Sequence, residues 1–318
     1  MEPITFSPVY LEHVWGGRKL ERVYGRALPR PDRVYGESWE IVDRDSQQSV
    51  VDQGEWAGFS LHELWTRRRE AVFGAGLEDH PRFPLLFKVL DARDDLSIQV
   101  HPPAEVIARL GGEPKAEMWY VADCVPGAKL YVGLKAGVSR GDFEAAIREG
   151  TVMNCVHSLT PRPGDSIFIP MGRLHAIGGG FLIHEIQQNS NTTFRVFDWN
   201  RPGLDDKPRD LHIAESLASI DFDDHEPAMD PPRGEVLAEC RHFKTTRKVL
   251  AAGDAVGNPD DGRFSILVVV AGCLVSAAGR RFAKGQSLLL PCDAKPVTAS
   301  QDSIILQVTL PDRVALDG

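Results

Sequence analysis

The chain has 318 residues and a net charge of −9, with 42% hydrophobic and 25% charged residues. These values are typical of a soluble globular protein, and the acidic balance argues against nucleic acid or a membrane surface as a partner. The length suits two domains, or one large β-barrel with additions.

The cysteines, the N-terminal residues and the apolar runs indicate the cellular compartment in which the protein is expected. Five cysteines are scattered without a Cys-x-x-Cys pair, which argues against a disulfide framework and against a thiolate zinc site. Residues 1–6 show no signal-peptide pattern. The longest apolar run, 266–275, is about half the length of a membrane-spanning helix. We therefore expect a cytoplasmic protein.

Two elements are predicted in the first quarter of the chain. Residues 36–42 alternate between two faces, with Trp39 and Ile41 on the apolar one, and predict a half-buried strand. Apolar residues at helical spacing over 61–73 predict a packing helix.

Lys88 lies within the near-continuous apolar stretch 83–90, which predicts a buried strand. A lysine ammonium is costly to bury without a partner. Lys88 is therefore either a member of a polar site or a side chain that reaches the strand end and solvent.

Two further strands carry rows of polar residues. Ser97, Gln99 and His101 share one face of a strand, because side chains alternate along it. Lys115 and Glu117 share a face of the next predicted strand in the same way. Such rows are either a solvent face or the lining of a barrel interior that holds a metal.

Helices and a domain boundary are predicted in the following region. Ser139, with an acid three residues later, predicts a helix that ends at Gly150. A second helix is predicted over 210–220, with Asp210 as its N-cap. The stretch 221–234 is acidic, rich in proline and without periodicity, which is typical of a linker. The predicted domains are a metal-binding domain with helical additions over 1–221 and a smaller β domain without a metal site over 235–318.

The stretch 164–175 places an imidazole after a strand. Residues 166–169 predict a short strand, proline and glycine then stop it, and His175 is the next side chain with ligand chemistry. Residues 285–291 repeat the pattern of 164–170, but no histidine follows. This repeat predicts a second, smaller barrel-like module that lacks a metal.

Four side chains are candidates for one metal centre. Two imidazoles and a carboxylate are a frequent catalytic zinc set, and a glutamine oxygen beside them also suits Mn²⁺ or Fe²⁺. The alternative is that they are ordinary polar strand positions. The candidates are Gln99, His101, Glu117 and His175.

The spacing favours the metal. The stretch 164–175 follows Gly-x5-Pro-x-Gly-x2-His, which resembles the second cupin motif. The first cupin motif has His-x-His and then Glu, and here it reads Gln99-Val-His101 followed by Glu117. Cupins are metal-holding β-barrels.

Within the cupins the chain resembles the type I phosphomannose isomerases in their compact bacterial form. The resemblance covers roughly residues 3–220 and implies a mainly β fold. That fold is a cupin jelly-roll barrel with a few helices and a second, smaller cupin-like β module. The stretches that carry the resemblance are 36–40, 85–90, 96–102, 115–119, 163–176 and 185–201.

The resemblance implies a role for each matching position. Gln99, His101, Glu117 and His175 match the ligands of one zinc ion per subunit, with Mn²⁺ or Fe²⁺ as alternatives. Arg195 matches the active-site arginine, and Glu185 and Lys115 match pocket residues. Lys88, Ser97 and Arg201 match positions that line the sugar-phosphate pocket.

The family's reaction interconverts mannose 6-phosphate and fructose 6-phosphate through a cis-enediol that zinc stabilises. On this resemblance we expect a hexose 6-phosphate substrate and a monomer or weak homodimer. We expect Glu185 to act as general base with Lys115 assisting, and a zinc-bound hydroxide is the alternative base.

Two other functions stay open for a metal-holding cupin. A non-catalytic sensor of sugar phosphates would keep the barrel and the metal. However, it would not need Lys115 and Arg195, which stabilise a reacting substrate. A cupin oxygenase usually needs more imidazole ligands than the two found here.

Overall fold

The computed structural model describes residues 1–77, 79–231, 233–259 and 262–311. In this part of the chain strands dominate, as predicted. The strands are β1 (Val9–Leu11), β2 (Glu37–Ile41), β3 (Asp43–Arg44), β4 (Gln47–Gln48), β5 (Leu85–Ala92), β6 (Ile98–Val100), β7 (Glu117–Cys124), β8 (Leu130–Leu134), β9 (Val156–Leu159), β10 (Ser166–Ile169), β11 (His175–Ile177), β12 (Phe181–Gln188), β13 (Phe194–Phe197), β14 (Val236–Glu239), β15 (Lys244–Leu250), β16 (Ala255–Val256), β17 (Ser265–Ala271), β18 (Cys273–Val275), β19 (Arg281–Ala283), β20 (Ser287–Leu290), β21 (Val297–Ala299) and β22 (Ser303–Thr309).

The helices are short. Across the described ranges, none has the length and apolar character needed to cross a membrane. They are α1 (Lys19–Tyr24), α2 (Leu61–Arg67), α3 (Arg69–Phe73), α4 (Ala104–Leu110), α5 (Arg140–Glu149) and α6 (Ile213–Ser219), with a 3-10 turn at Val152–Asn154.

The chain divides into two compact units. Unit 1 contains Met1–Val9, Trp39–Phe87 and the chain from Pro231 onward, and unit 2 contains Tyr10–Ser38 and Lys88–Asp230. The change of unit at residue 230 falls within the predicted linker.

Met1–Val9 and Trp39–Phe87 belong to unit 1 together with the C-terminal part of the chain. The sequence instead predicted that residues 1–221 form one domain. Backbone pairing explains this difference. The Ile4 N–H donates to Leu289 O (2.8 Å), and the Phe264 N–H donates to Phe73 O (3.1 Å). Long-range pairing of this kind has no local sequence signal. The predicted separation of a metal-binding domain from a metal-free one stays a proposal.

Two sheets carry the strands of unit 2, one with the order β1-β2-β5-β12-β7-β10 and the other β13-β6-β11-β8-β9. Strand β5 is buried along its whole length, and β12 is buried except at its last residue. Their buried residues include the polar side chains of Lys88 on β5 and Glu185 on β12. One core cluster of unit 2 includes Trp119, Ile167 and Phe181.

In the described residues, unit 1 holds three sheets, with the orders β14-β15-β22-β17-β20, β16-β21-β18-β19 and β3-β4. Leu267, Phe282 and Leu288 belong to the core between its strands. Strand β20 contains the predicted repeat of β10, and both strands end the order of their sheets. Both copies of the repeat therefore lie at the end of a strand order, and Ile4 also pairs with Leu289 of β20.

Two helix predictions differ from the structure at their ends. The helix predicted over 61–73 is broken at Arg68, whose φ of −132° separates α2 from α3. Asp210 is not an N-cap. Helix α6 starts after His212, whose φ of −120° and ψ of 60° are not helical and whose N–H donates to Arg195 O (2.8 Å).

Helix α5 is confirmed with both of its end signals. Ser139 and Asp142 form a capping box, and Gly150 ends the helix with a φ of 70°, in the left-handed region that favours glycine. Phe143 and Ala146 are the buried residues of this helix.

Ser139→Ala should lower the free energy of unfolding by about 1 kcal/mol, because the first turn of α5 loses an N-cap acceptor. Urea unfolding of the metal-free protein measures the change. Ser158→Ala, on an exposed position of β9, is the control. Equal midpoints for the two variants would contradict the capping contribution.

Candidate metal centre

One sheet of unit 2 aligns three predicted site residues in a row. His175 of β11 is the register partner of Gln99 on β6, and Arg195 of β13 pairs with Gln99 from the other side. Directly paired residues project from the same face of a sheet. Gln99, His175 and Arg195 therefore face the same side, and His101 follows the end of β6.

Strands β7 and β12 of the other sheet supply carboxylates. Glu117 begins β7 and pairs with Gln187, and Trp119 pairs with Glu185. These residues share a face, because residues two apart on a strand point the same way.

The two sheets bring His101, Glu117 and His175 together. Each is 0% exposed, and their ligand atoms all lie within 4.8 Å of one another. The His101 Nε2 lies 3.4 Å from Glu117 Oε2, and the His175 Nε2 lies 3.6 Å from Glu117 Oε1. In the described part of the chain, this is the group of histidine, cysteine and acidic residues that could hold a metal.

Backbone carbonyls orient both imidazoles. The Nδ1 of His101 lies 2.9 Å from Thr192 O, and the Nδ1 of His175 lies 2.9 Å from Arg173 O. Because a carbonyl only accepts, each Nδ1 carries the proton, and each Nε2 presents a lone pair to the centre. This arrangement is usual for histidine ligands of metals.

Burial also keeps the imidazoles neutral. It lowers the pKa of His101 to about 3, with the charge of Lys115 acting in the same direction. Burial likewise lowers the pKa of His175. Neutral imidazole is the form that binds a metal ion.

Buried polar atoms without hydrogen bonds indicate whether a metal ion would fit this site. His101 Nε2 and both Glu117 carboxylate oxygens are buried and make no hydrogen bond. Lys115 Nζ lies 2.7 Å from Glu117 Oε2 as an ion pair. Buried polar atoms without hydrogen bonds are costly, and a divalent cation would satisfy His101 Nε2 and the Glu117 oxygen that Lys115 does not pair with. The donor set fits Zn²⁺.

Gln99 lies beside this centre. Its Nε2 is 3.3 Å from His175 Nε2, and its Oε1 accepts a hydrogen bond from Ser97 Oγ (3.2 Å). A half-turn of the amide would direct the oxygen toward the imidazole and the centre. The position therefore suits a fourth ligand after that rotation.

Two lysines and a second carboxylate surround the centre. Lys115 Nζ lies 3.7 Å and Lys88 Nζ lies 3.6 Å from Glu185 Oε1. Glu185, Lys88 and Lys115 are all at most 5% exposed. The Trp119 indole N–H donates to Glu185 Oε2 (3.0 Å), which fixes the carboxylate plane.

The pKa values of the two carboxyl groups move in opposite directions. Burial raises the pKa of Glu185, the charge of Glu117 adds to this, and the two lysines oppose it. Burial would also raise the pKa of Glu117, but Lys115 together with His101 and His175 outweighs it and holds that pKa well below its usual range. Glu117 therefore has the anionic form that a metal ligand needs, and Glu185 is the more readily protonated carboxyl.

The predicted phosphate contacts each have a protein partner. Lys88 lies between carboxylates, Ser97 donates to Gln99, and Arg201 donates to Asp198 (2.9 Å). Arg209, which the sequence did not indicate, makes two hydrogen bonds of 2.6 Å to the same carboxylate of Asp198. No local pattern marks Arg209, because its partner lies 11 residues away along the chain.

Glu37 and His13 also approach the site and were not predicted as members. Glu37 Oε2 lies 3.4 Å from Lys88 Nζ, and His13 Nε2 lies 3.5 Å from Glu37 Oε1. Glu37 belongs to the stretch 36–40, which was noted for its resemblance alone. His13 stacks on Trp15 with ring centroids 4.6 Å apart.

Comparisons with known proteins agree with this geometry. The sequence profile of the family "Phosphomannose isomerase type I, catalytic domain" matches residues 4–123. Mannose-6-phosphate isomerase ManA of Bacillus subtilis (strain 168) is 34% identical over 302 residues, 91% of this chain and 93% of that protein.

Solved structures share the fold. The crystal structure of the mannose 6-phosphate isomerase from Bacillus subtilis matches with a TM-score of 0.86 and 28% identity, over 97% of this chain and 100% of that one. A mannose 6-phosphate isomerase bound with zinc and yttrium matches with a TM-score of 0.74 and 17% identity, over 97% and 99%. The predicted mainly β, cupin-type fold is confirmed.

Proposed function

The chain belongs to the type I phosphomannose isomerase family, and from this premise we propose that it interconverts mannose 6-phosphate and fructose 6-phosphate. The observation that carries the proposal is the buried cluster of His101, Glu117 and His175, with Glu185 and Lys115 beside it. This cluster combines a metal-ligand set with a carboxyl group suited to proton transfer.

We propose that His101, Glu117, His175 and Gln99 hold one zinc ion per subunit. A bound zinc ion would supply Lewis-acid stabilisation of the negative charge that develops on the substrate oxygens. The same donors would accept Mn²⁺ or Fe²⁺.

Glu185 is the proposed general base. The reaction moves a proton from C2 of the aldose to C1 of the ketose through a cis-enediol, so one group can remove it and return it. Burial raises the pKa of Glu185, which makes the carboxylate a stronger base than an exposed one. Trp119 and the two lysines hold it in place, and Lys115 would position a substrate hydroxyl or pass on its proton.

Cations are proposed to bind and orient the substrate. Arg195, aligned with Gln99 and His175, would place a fixed positive charge beside the reacting oxygens. Arg201, Lys88 and Ser97 are the proposed phosphate contacts. Since Arg201 is paired with Asp198, a phosphate would have to compete with that carboxylate. We propose a monomer or weak homodimer in the cytoplasm.

An isomerase assay tests the proposal. The purified protein, loaded with zinc or manganese, should convert mannose 6-phosphate to fructose 6-phosphate in a coupled assay. Absence of turnover with either metal would refute the function. Tight binding of mannose 6-phosphate without turnover would instead favour a sensor.

Arg195→Ala should keep the metal and lower kcat by about 10²-fold, because a fixed charge near the developing oxyanion is lost. Steady-state kinetics together with elemental analysis measure both quantities. Arg140→Ala, at an exposed position of α5, is the matched control. Near-normal turnover of Arg195→Ala would exclude this role.

A further inference from the structure

We propose that Glu37 is a positioning residue of this site, acting through Lys88 on Glu185. The inference rests on the proposed isomerase function and assigns a role to a residue outside the metal ligands and the predicted substrate contacts.

Lys88 is shared between two carboxylates. Its Nζ lies 3.4 Å from Glu37 Oε2 and 3.6 Å from Glu185 Oε1. The three residues come from the neighbouring strands β2, β5 and β12 of one sheet. The Lys88 side chain is 5% exposed, so solvent screens these charges little. The ammonium is therefore attracted by both carboxylates at similar distances.

Removal of one charge would unbalance this arrangement. With a neutral residue at position 37, the negative charge of Glu37 would no longer oppose the attraction of Lys88 to Glu185. Lys88 would move toward Glu185, and a closer ion pair would engage the carboxylate oxygen that is not held by Trp119. That oxygen is the one available to accept a proton from C2, so proton abstraction would slow.

The far side of Glu37 is built to hold it in place. His13 Nε2 lies 3.5 Å from Glu37 Oε1, and its ring is stacked nearly parallel on Trp15, with an interplanar angle of 8°. A Cβ at position 36 would lie 2.7 Å from His13 Cβ and 2.6 Å from the Trp15 ring. Gly36 therefore allows the stacked pair to pack against the backbone next to Glu37.

A double-mutant cycle tests the inference on the full-length, zinc-loaded protein, with mannose 6-phosphate as substrate. Glu37→Gln should lower kcat by about 10-fold, because the base is misplaced, and change KM by less than about twofold. Zinc stoichiometry should stay unchanged. Combining Glu37→Gln with Lys88→Met should lower kcat no further than Lys88→Met alone, since Glu37 acts through Lys88. Glu37→Asp should recover part of the kcat that Glu37→Gln loses.

Several results would overturn the inference. These are additive effects of the two substitutions, an unchanged kcat in Glu37→Gln, or loss of zinc from that variant. Glu12→Gln removes a partly exposed carboxylate from Tyr10–Ser38, the segment of unit 2 that also contains Glu37. This variant is the control and should keep both kcat and KM. Lack of turnover by the unmutated protein would refute the proposed function together with the inference, whereas additive effects in an active enzyme would refute the inference alone.

Discussion

Replacement of His101 or His175 by alanine is expected to abolish stoichiometric zinc binding and to lower isomerase turnover by more than about 100-fold. Loss of a residue that only hydrogen-bonds to a metal ligand and orients it already costs about 10- to 100-fold in metal affinity or activity. Here a proposed ligand itself is removed, so the expected loss is larger. Both imidazoles are fully buried with Nε2 directed at Glu117, so solvent cannot easily replace either one.

Elemental analysis after removal of free metal measures the zinc bound by each variant, and a coupled assay measures turnover. His157→Ala, on β9, is the control for the general effect of removing an imidazole. Circular dichroism checks that the variants are folded. A variant that retains one zinc per chain would exclude its histidine from the ligand set.

Glu185→Gln is expected to lower kcat by about 10²- to 10⁴-fold, the usual contribution of a general base, while zinc stays bound. The amide has nearly the shape of the carboxylate and can still accept from the Trp119 indole N–H, so that hydrogen bond is kept, whereas the ion pairs with Lys88 and Lys115 are lost. What is lost is the ability to hold a proton taken from C2.

Exchange of the C2 proton with solvent separates this role from a structural one. Mannose 6-phosphate incubated with Glu185→Gln in heavy water should gain deuterium far more slowly than with the unmutated protein. Glu149→Gln, at an exposed position of α5, should behave like the unmutated protein. Normal exchange with Glu185→Gln would exclude Glu185 as the general base and favour a zinc-bound hydroxide in that role.

The residues of the metal centre could be predicted because their signals are local. Gln99 lies on β6 and His101 directly follows it at alternating spacing, and His175 follows β10 after a proline and a glycine. Each of these features depends on a few consecutive residues. The resemblance to the family then predicted that these residues form one site. In the structure, the ligand atoms of His101, Glu117 and His175 lie close enough together to bind one ion.

Element ends and polar partnerships were less predictable. Helix α6 starts at Ile213, and the N–H of the non-helical His212 before it donates to Arg195 O, 17 positions earlier. Arg201 and Arg209 share Asp198, so a predicted phosphate contact is also an ion-pair partner. Both results depend on segments that meet only in the folded chain.

By itself the sequence determined the mainly β character, helix α5 with its caps, strand β10 and the identity of the metal-ligand candidates. The alternation of apolar and polar residues, helix capping and turn formation each depend on a few consecutive residues, so they can be recognised from the sequence alone. Only the tertiary structure decided that Met1–Val9 and Trp39–Phe87 join unit 1. It also decided that Lys88 is held between Glu37 and Glu185, because electrostatic and backbone pairing between distant residues depends on distances in space.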